Sequence, residues 1–287
     1  MVLEHEIPEK SKLYFGETAK IKREIEYTAS KILLENGFEE IVTPTFTYYQ
    51  SEIINKKELI HLQDDNNCQM TLRADTTIDV ARITTKRLGK QFNSSKIFYI
   101  QPVFSYPSTE QYQIGAEHIG EKNLSDILKV NLKIFQKLNL KPVLQISNIK
   151  IPKILSELLN IPIESFINFE FHKFRNLNLE WLNKLVALEN VDEVNEILDL
   201  VPAELKPELV ALKTIAEKLN YENLVLAPLY YTNNSYYNSL FFRMFDNNRV
   251  FAKGGQYRID SKVQKIPKSV GFSIYTDQLI ETFVDKK

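Results

Sequence analysis

Between Thr18 and Asn36 the apolar residues Ile21, Ile25, Ala29, Ile32 and Leu33 recur at helical spacing, and Asn36-Gly37 closes the run as a C-cap would. An amphipathic helix is predicted there. FEEIVTPTFTYY follows, rich in β-branched and aromatic residues but interrupted by Pro44, which suits a strand end or edge. CQMTLRA (68–74) is a short strand, and Asp75 and Thr76 are placed to cap the helical TTIDVARITTKRL. QPVFSYPSTEQYQIGAEHIG (101–120) is two strands joined by a turn at Pro107-Ser108-Thr109, and Leu124, Ile127, Leu128, Ile134, Phe135 and Leu138 form a second helical stripe before the strand PVLQIS. From about 151 to 223 the pattern turns to Leu, Glu, Lys and Asn at helical periods, punctuated by Pro152, Pro162, Pro202 and Pro207. This is a helical insertion. Strands return in LVLAPLYYT, SYYNSLFFRMF, a turn at Asp246-Asn247-Asn248, and RVFAKGG; VGFSIYTDQLIETF passes from strand to helix. Helices, antiparallel strand signals and a helical block set among them predict an α+β fold.

Composition narrows the possibilities. A chain of 287 residues, 44% hydrophobic, fills a sizeable core, and residues 1–287 are expected to form one domain carrying the insertion. A formal net charge of −1 without a dense basic run gives no electrostatic footprint for nucleic acid. A single cysteine, Cys68, and an opening MVLEHEIPEKSK without an apolar core lead to the expectation of a cytoplasmic protein, with no apolar stretch of membrane-spanning length. The 8 glycines build neither a dinucleotide fingerprint nor a phosphate loop, and His5, His61, His118 and His172 have no metal-ligand spacing, so no cofactor and no metal are expected.

Along QYQIGAE, Gln111, Gln113, Gly115 and Glu117 share one strand face while Tyr112, Ile114 and Ala116 take the other. Gly115 leaves a gap in which a small ligand would lie between an amide and a carboxylate, and a ligand ammonium group would suit Glu117. A solvated outer face of an antiparallel sheet accounts for the same alternation. Asp75 and Thr77 sit at the predicted helix start, where capping alone explains them. Tyr236-Tyr237 and the GGQYR segment place phenols on neighbouring strands, which core packing explains equally well. Arg243, Arg249 and Arg258 are the arginines of this C-terminal sheet; a solvated strand face or anion binding accounts for them. His118 points away from Glu117, which argues against a His-Glu acid-base couple.

Taken in order, these segments resemble the catalytic core of class II histidyl-tRNA synthetases. ENGFEEIVTPTF is similar to that family's first motif, which builds its dimer interface, and TLRADTT to its Leu-Arg-Pro-Glu/Asp segment. VFSYP with QIGAEHIG looks like the second motif, YYNSLFF and GGQY like the histidine-binding segments, and VGFSIYTDQL like the third motif. The resemblance covers most of residues 8 to 282. It implies the antiparallel sheet of the class II core flanked by helices, and histidine contacts at Asp75, Thr77, Gln113, Glu117, Tyr237 and Tyr257. The carboxylates would hold an α-amino group, and the tyrosines and glutamine would surround or hydrogen-bond an imidazole.

The departures fall on the nucleotide half of the family's site. Where its second motif has Phe-Arg-x-Glu, this chain has Phe104-Ser105-Tyr106-Pro107, so Ser105 and Pro107 stand where the ATP-holding arginine and glutamate would be. Gln278 stands at the third-motif arginine, and the arginine of the histidine segment falls near Thr232. One lost charge-assisted bond costs about 1.5–3 kcal/mol, and several together are expected to abolish amino acid activation. Only nine residues follow Gln278, so no C-terminal anticodon-binding domain is expected.

A synthetase-like core so depleted resembles the regulatory subunits of ATP phosphoribosyltransferase. That resemblance implies a non-catalytic homodimer in histidine biosynthesis, partnered with a short catalytic subunit and binding histidine or a related amino acid. Two alternatives stay open: a divergent class II ligase that activates an amino acid with Arg73, Arg243, Arg249 or Arg258, and an orphan synthetase paralogue without a ligand acting as a dimeric partner.

Overall fold

A computed structural model describes residues 7–48, 50–88, 94–170, 172–232, 236–259 and 266–285. Residues 1–6 of the opening segment, Tyr49 at the end of FEEIVTPTFTYY and Ser235 at the head of SYYNSLFFRMF lie outside the described residues.

The first predicted helix is α1 (Gly16–Glu35), with Ile21, Ile25, Ala29 and Leu33 buried. Asn36 ends it by directing both its backbone N–H and its side-chain amide to the Ile32 carbonyl, and Gly37 takes a φ of 79° that a side chain would resist. Pro44 then divides the strand read in FEEIVTPTFTYY. Only β1 (Glu39–Glu40) and β2 (Phe46–Thr47) form, and they join different sheets. Between them the carbonyls of Thr43 and Pro44 accept from the Arg73 guanidinium at 3.0 and 2.9 Å, so these acceptors serve a side chain in place of a strand ladder.

Next come β3 (His61–Gln63), β4 (Gln69–Leu72), α2 (Thr76–Arg82), β5 (Lys96–Ser105), β6 (Thr109–His118), α3 (Leu124–Lys137) and β7 (Val143–Asn148). The insertion supplies α4 (Lys150–Leu159), α5 (Glu164–Ile167), α6 (His172–Arg175), α7 (Glu180–Ala187), α8 (Val194–Leu198) and α9 (Lys206–Leu219). Left-handed Asn160 and Asn220 terminate α4 and α9, and Pro207 sits in the first turn of α9, as its fixed φ favours. LVLAPLYYT forms a strand only over β8 (Leu224–Leu226), because Pro228 lacks the donor a ladder needs. The chain continues through β9 (Tyr237–Asp246), β10 (Arg249–Tyr257), β11 (Ser269–Tyr275) and α10 (Thr276–Asp285).

Among the described residues the strands make an eight-stranded sheet, ordered β1-β5-β6-β11-β10-β9-β7-β8, and a three-stranded sheet, β2-β4-β3. Only β1 with β5 and β7 with β8 run parallel. The fold is the α+β class expected from the pattern. One face of the large sheet carries Phe98, Ile114, Ala116, Phe272, Ile274, Phe242, Met244, Leu144 and Ile146 into a continuous core with α1, α3, α9, α10 and the insertion. Each fully buried side chain of this size stabilises by about 1.5–3 kcal/mol, so this face anchors the sheet. The opposite face is polar. It presents Tyr99, Gly115, Glu117, Gly271, Ser273, Lys253, Gly255 and Tyr257 in register, and α2 packs across one end of it through Val80 against Ile97 and Tyr99.

Candidate functional site

The polar face acquires its geometry from the start of α2. Asp75 caps that helix, its Oδ1 accepting the Ile78 N–H at 3.1 Å, while Oδ2 accepts from the Tyr236 hydroxyl at 2.9 Å. Gln50 fixes the backbone here: its Oε1 accepts from the N–H groups of Ala74 and Asp75 at 2.6 and 3.0 Å, and its Nε2 donates to the Asp75 carbonyl at 2.6 Å. Burial raises the Asp75 carboxyl above its ordinary range, opposed by its hydrogen bonds from Ile78 and Tyr236. Two residues further on, Thr77 points at the sheet. Its hydroxyl donates to Glu117 Oε1 at 2.8 Å and lies 3.3 Å from the Tyr99 hydroxyl, which in turn lies 3.1 Å from Ser273 Oγ.

Glu117 is the centre of this arrangement. It is 1% exposed, and neither its Oε2 nor the Tyr257 hydroxyl has a hydrogen-bond partner among the described residues. The Tyr257 phenol nonetheless lies close enough to the carboxylate to act on it as a donor, short of full hydrogen-bond geometry. Burial pushes the Glu117 carboxyl up to about 8, with the Thr77 and Tyr257 hydroxyls pulling it down and Asp75 adding to the rise. Room for the carboxylate comes from Gly271, its cross-strand neighbour on β11: a Cβ there would collide with Oε2.

Both readings of QYQIGAE need correction. The face is no solvated exterior, since Gly115 and Glu117 are buried. Nor does Gly115 leave a ligand gap, because the ring of Tyr99, its partner on β5, occupies the space a Cβ would take. Glycine is required there by a tyrosine.

The structure gathers Asp75, Thr77, Glu117, Tyr237 and Tyr257 around this end of the sheet, with Tyr237 and Tyr257 directly opposed on β9 and β10. Gln113 is on the same face, two residues from Gly115, half-buried and donating to Gln111 Oε1 at 3.0 Å. Tyr236 completes the aromatic wall, its ring 5.1 Å from Tyr237 and 6.0 Å from Tyr257. Burial raises all three phenols, which therefore stay protonated as donors. Tyr236, Tyr99, Ser273 and Gln50 were missed as site residues. The Tyr236-Tyr237 pair was visible in the sequence, but nothing local showed that Tyr236 bonds Asp75 across 161 positions.

Ser105 ends β5, Pro107 follows in the turn after a cis Tyr106-Pro107 bond, and Gln278 lies in the first turn of α10. The Asp277 carboxylate beside Gln278 accepts from the Tyr112 N–H at 3.0 Å, which joins the start of α10 to the hairpin.

The family model described as histidyl-tRNA synthetase matches residues 14–200. An ATP phosphoribosyltransferase regulatory subunit of Wolinella succinogenes is 44% identical over 282 residues, covering 98% of this chain and 96% of the relative. One from Helicobacter hepaticus is 42% identical over 284 residues, covering 98% and 99%. The chain belongs to the ATP phosphoribosyltransferase regulatory subunit family. A solved Bacillus halodurans structure, described as an ATP phosphoribosyltransferase regulatory subunit/histidyl-tRNA synthetase, shares the fold with a TM-score of 0.80 at 21% identity, over 97% of this chain and 83% of that one.

Within this regulatory-subunit fold the candidate cations have separate fates. Arg73 is 2% exposed and bonded to the carbonyls of Thr43, Pro44 and Pro102, so it is a structural clamp. Arg249 pairs with Asp285 at 2.6 Å and with Glu281 at 3.8 Å. Arg258 lies just beyond β10. Arg243 alone of the four lies on the polar sheet face, its Nε and Nη2 donating to Gln145 Oε1 at 3.0 and 2.7 Å. Among the described residues no group of His, Cys, Asp and Glu is arranged to hold a metal, and no helix is long and apolar enough to cross a membrane.

Proposed function

We propose that this chain is a non-catalytic regulator of ATP phosphoribosyltransferase that binds histidine at Asp75, Thr77, Gln113, Glu117, Tyr237 and Tyr257 and acts on a short catalytic subunit. The observation that carries the ligand assignment is the Glu117 carboxylate, buried against a glycine with one oxygen lacking a well-formed hydrogen bond and the Tyr257 phenol beside it. Leaving a buried polar atom unsatisfied costs about 1–3 kcal/mol, and an N–H-bearing ligand removes that penalty. A cationic nitrogen goes further, since it converts the protonated acid into a carboxylate and gains a charge-assisted bond. Asp75 receives a second ligand N–H group while Tyr236 holds it in place.

By the resemblance, Ser105 and Gln278 replace two ATP-holding arginines and Pro107 a glutamate, and of the arginines a divergent ligase would recruit, Arg73 and Arg249 are engaged elsewhere. This favours the regulator over a ligase. A homodimer is part of the proposal. Val42 and Phe46, in the motif that resembles the synthetase dimer segment, are 79% and 57% exposed, and a pairing surface accounts for them. The chain is assigned to the cytoplasm with its partner.

The test is calorimetric titration of the purified chain with histidine, together with ATP–pyrophosphate exchange across amino acids. Saturable histidine binding that is lost in Glu117→Gln, with no exchange, is expected. Robust exchange overturns the regulatory reading, and a protein that does not bind histidine overturns the ligand assignment.

A further inference from the structure

The registers of β5, β6, β11, β10, β9 and β7 place Tyr99, Gly115, Ser273, Lys253, Arg243 and Gln145 in one row across the polar face. In that row Tyr99 meets Ser273 at 3.1 Å and Arg243 forks onto Gln145 at 3.0 and 2.7 Å. Lys253, between these pairs, makes no hydrogen bond and no ion pair among the described residues. It is half-buried and directly opposite a second cation, Arg243, an arrangement that is unfavourable on a sheet unless an anion is supplied. Arg243 cannot turn away. Its guanidinium lies 4.4 Å from the Tyr230 ring centroid and 4.8 Å from that of Phe245. Burial and the neighbouring Arg243 both lower the Lys253 pKa, as expected of an ammonium group lacking its counter-charge.

We infer that Lys253, braced by Arg243, is the carboxylate-binding end of the amino acid site whose other end is Glu117. The inference rests on the amino acid reading above and adds to it the ligand's orientation. Glu117 and Lys253 lie on the same face, two strands and two residues apart through Gly271 and Gly255. With strands ~4.8 Å apart and a rise of ~3.4 Å per residue, their Cα atoms are ~12 Å apart. Glu117 Oε2 already reaches into the space a Gly271 Cβ would take, one strand nearer to Lys253, and the flexible lysine stem spans more of the remaining distance. One amino acid therefore reaches both groups, with a side-chain nitrogen on Glu117 and its carboxylate on Lys253. Lys253 thereby supplies from β10 the cation that the segment near Thr232 does not carry.

Histidine and histamine, which differ by the carboxylate, are the probes, titrated calorimetrically into wild type, Lys253→Gln and Lys253→Arg. Wild type is expected to prefer histidine. Lys253→Gln weakens histidine at least tenfold, leaves histamine unchanged and melts no lower than wild type, because an unpaired cation has been removed; Lys253→Arg keeps the histidine preference. Equal histidine affinity in Lys253→Gln, or parallel loss of both compounds, overturns this assignment and leaves the amino acid site standing. Wild-type protein that binds neither compound overturns both.

Discussion

Glu117→Gln isolates the energetic strain stored in the site. Burial lifts the Glu117 carboxyl from its ordinary 4.5 to about 8 in the folded chain. Below pH 4.5 it is protonated whether the chain is folded or not. Between about 4.5 and 8 the unfolded chain releases the proton that the folded chain keeps, so stability falls as pH rises, and above 8 the full penalty applies. At 1.36 kcal/mol per pKa unit, the loss between pH 5 and pH 8.5 is about 4 kcal/mol. Glutamine keeps an acceptor for the Thr77 hydroxyl but cannot ionise. Asp79 and Asp277 are also raised by burial, but they titrate in both proteins and cancel in the difference. Urea unfolding of wild type and Glu117→Gln at several pH values is the assay. The variant is expected to gain on wild type by about 4 kcal/mol across that interval; stability curves that run parallel in pH refute the reasoning.

Gly271→Ala drives a methyl group into Glu117 Oε2 and to 3.0 Å from the Ala116 carbonyl, so histidine affinity measured by calorimetry is expected to fall more than tenfold; unchanged affinity contradicts the role of Glu117. Tyr236→Phe removes the donor to Asp75 Oδ2 and is expected to destabilise the chain by about 2 kcal/mol in urea unfolding, whereas a neutral effect shows that the bond contributes nothing. Val42, 79% exposed, tests the pairing surface: Val42→Asp should give a monomer by light scattering without a change in melting temperature, and a persistent dimer places the interface elsewhere.

The parts of the fold legible in the sequence are those encoded locally. The stripes of α1 and α3, the Asp75 cap and the 101–120 hairpin each follow from spacing within one segment, and each formed, the hairpin with its turn one residue earlier, at Tyr106-Pro107-Ser108. The misreadings share a physical origin in contacts between segments. Gly115 looked like a vacancy because its own strand cannot show that Tyr99 fills it from β5. The strand around Pro44 looked like one because a carbonyl taken by Arg73 leaves no trace in its neighbours. Resemblance singled out Glu117 and Tyr257, but the burial that raises the Glu117 carboxyl depends on α2 lying across the sheet and on Gly271 beneath it. Lys253 carries no motif, and its isolation emerges only from a register spanning six strands.

Regulation through the Glu117 site is tested most directly by assaying a reconstituted complex. Transferase activity of a short catalytic subunit mixed with the wild-type chain should be inhibited by histidine, and mixing with Glu117→Gln should yield an active complex of the same size that histidine does not inhibit. Equal inhibition through both chains, or a catalytic subunit that neither associates with nor responds to this protein, would contradict the account.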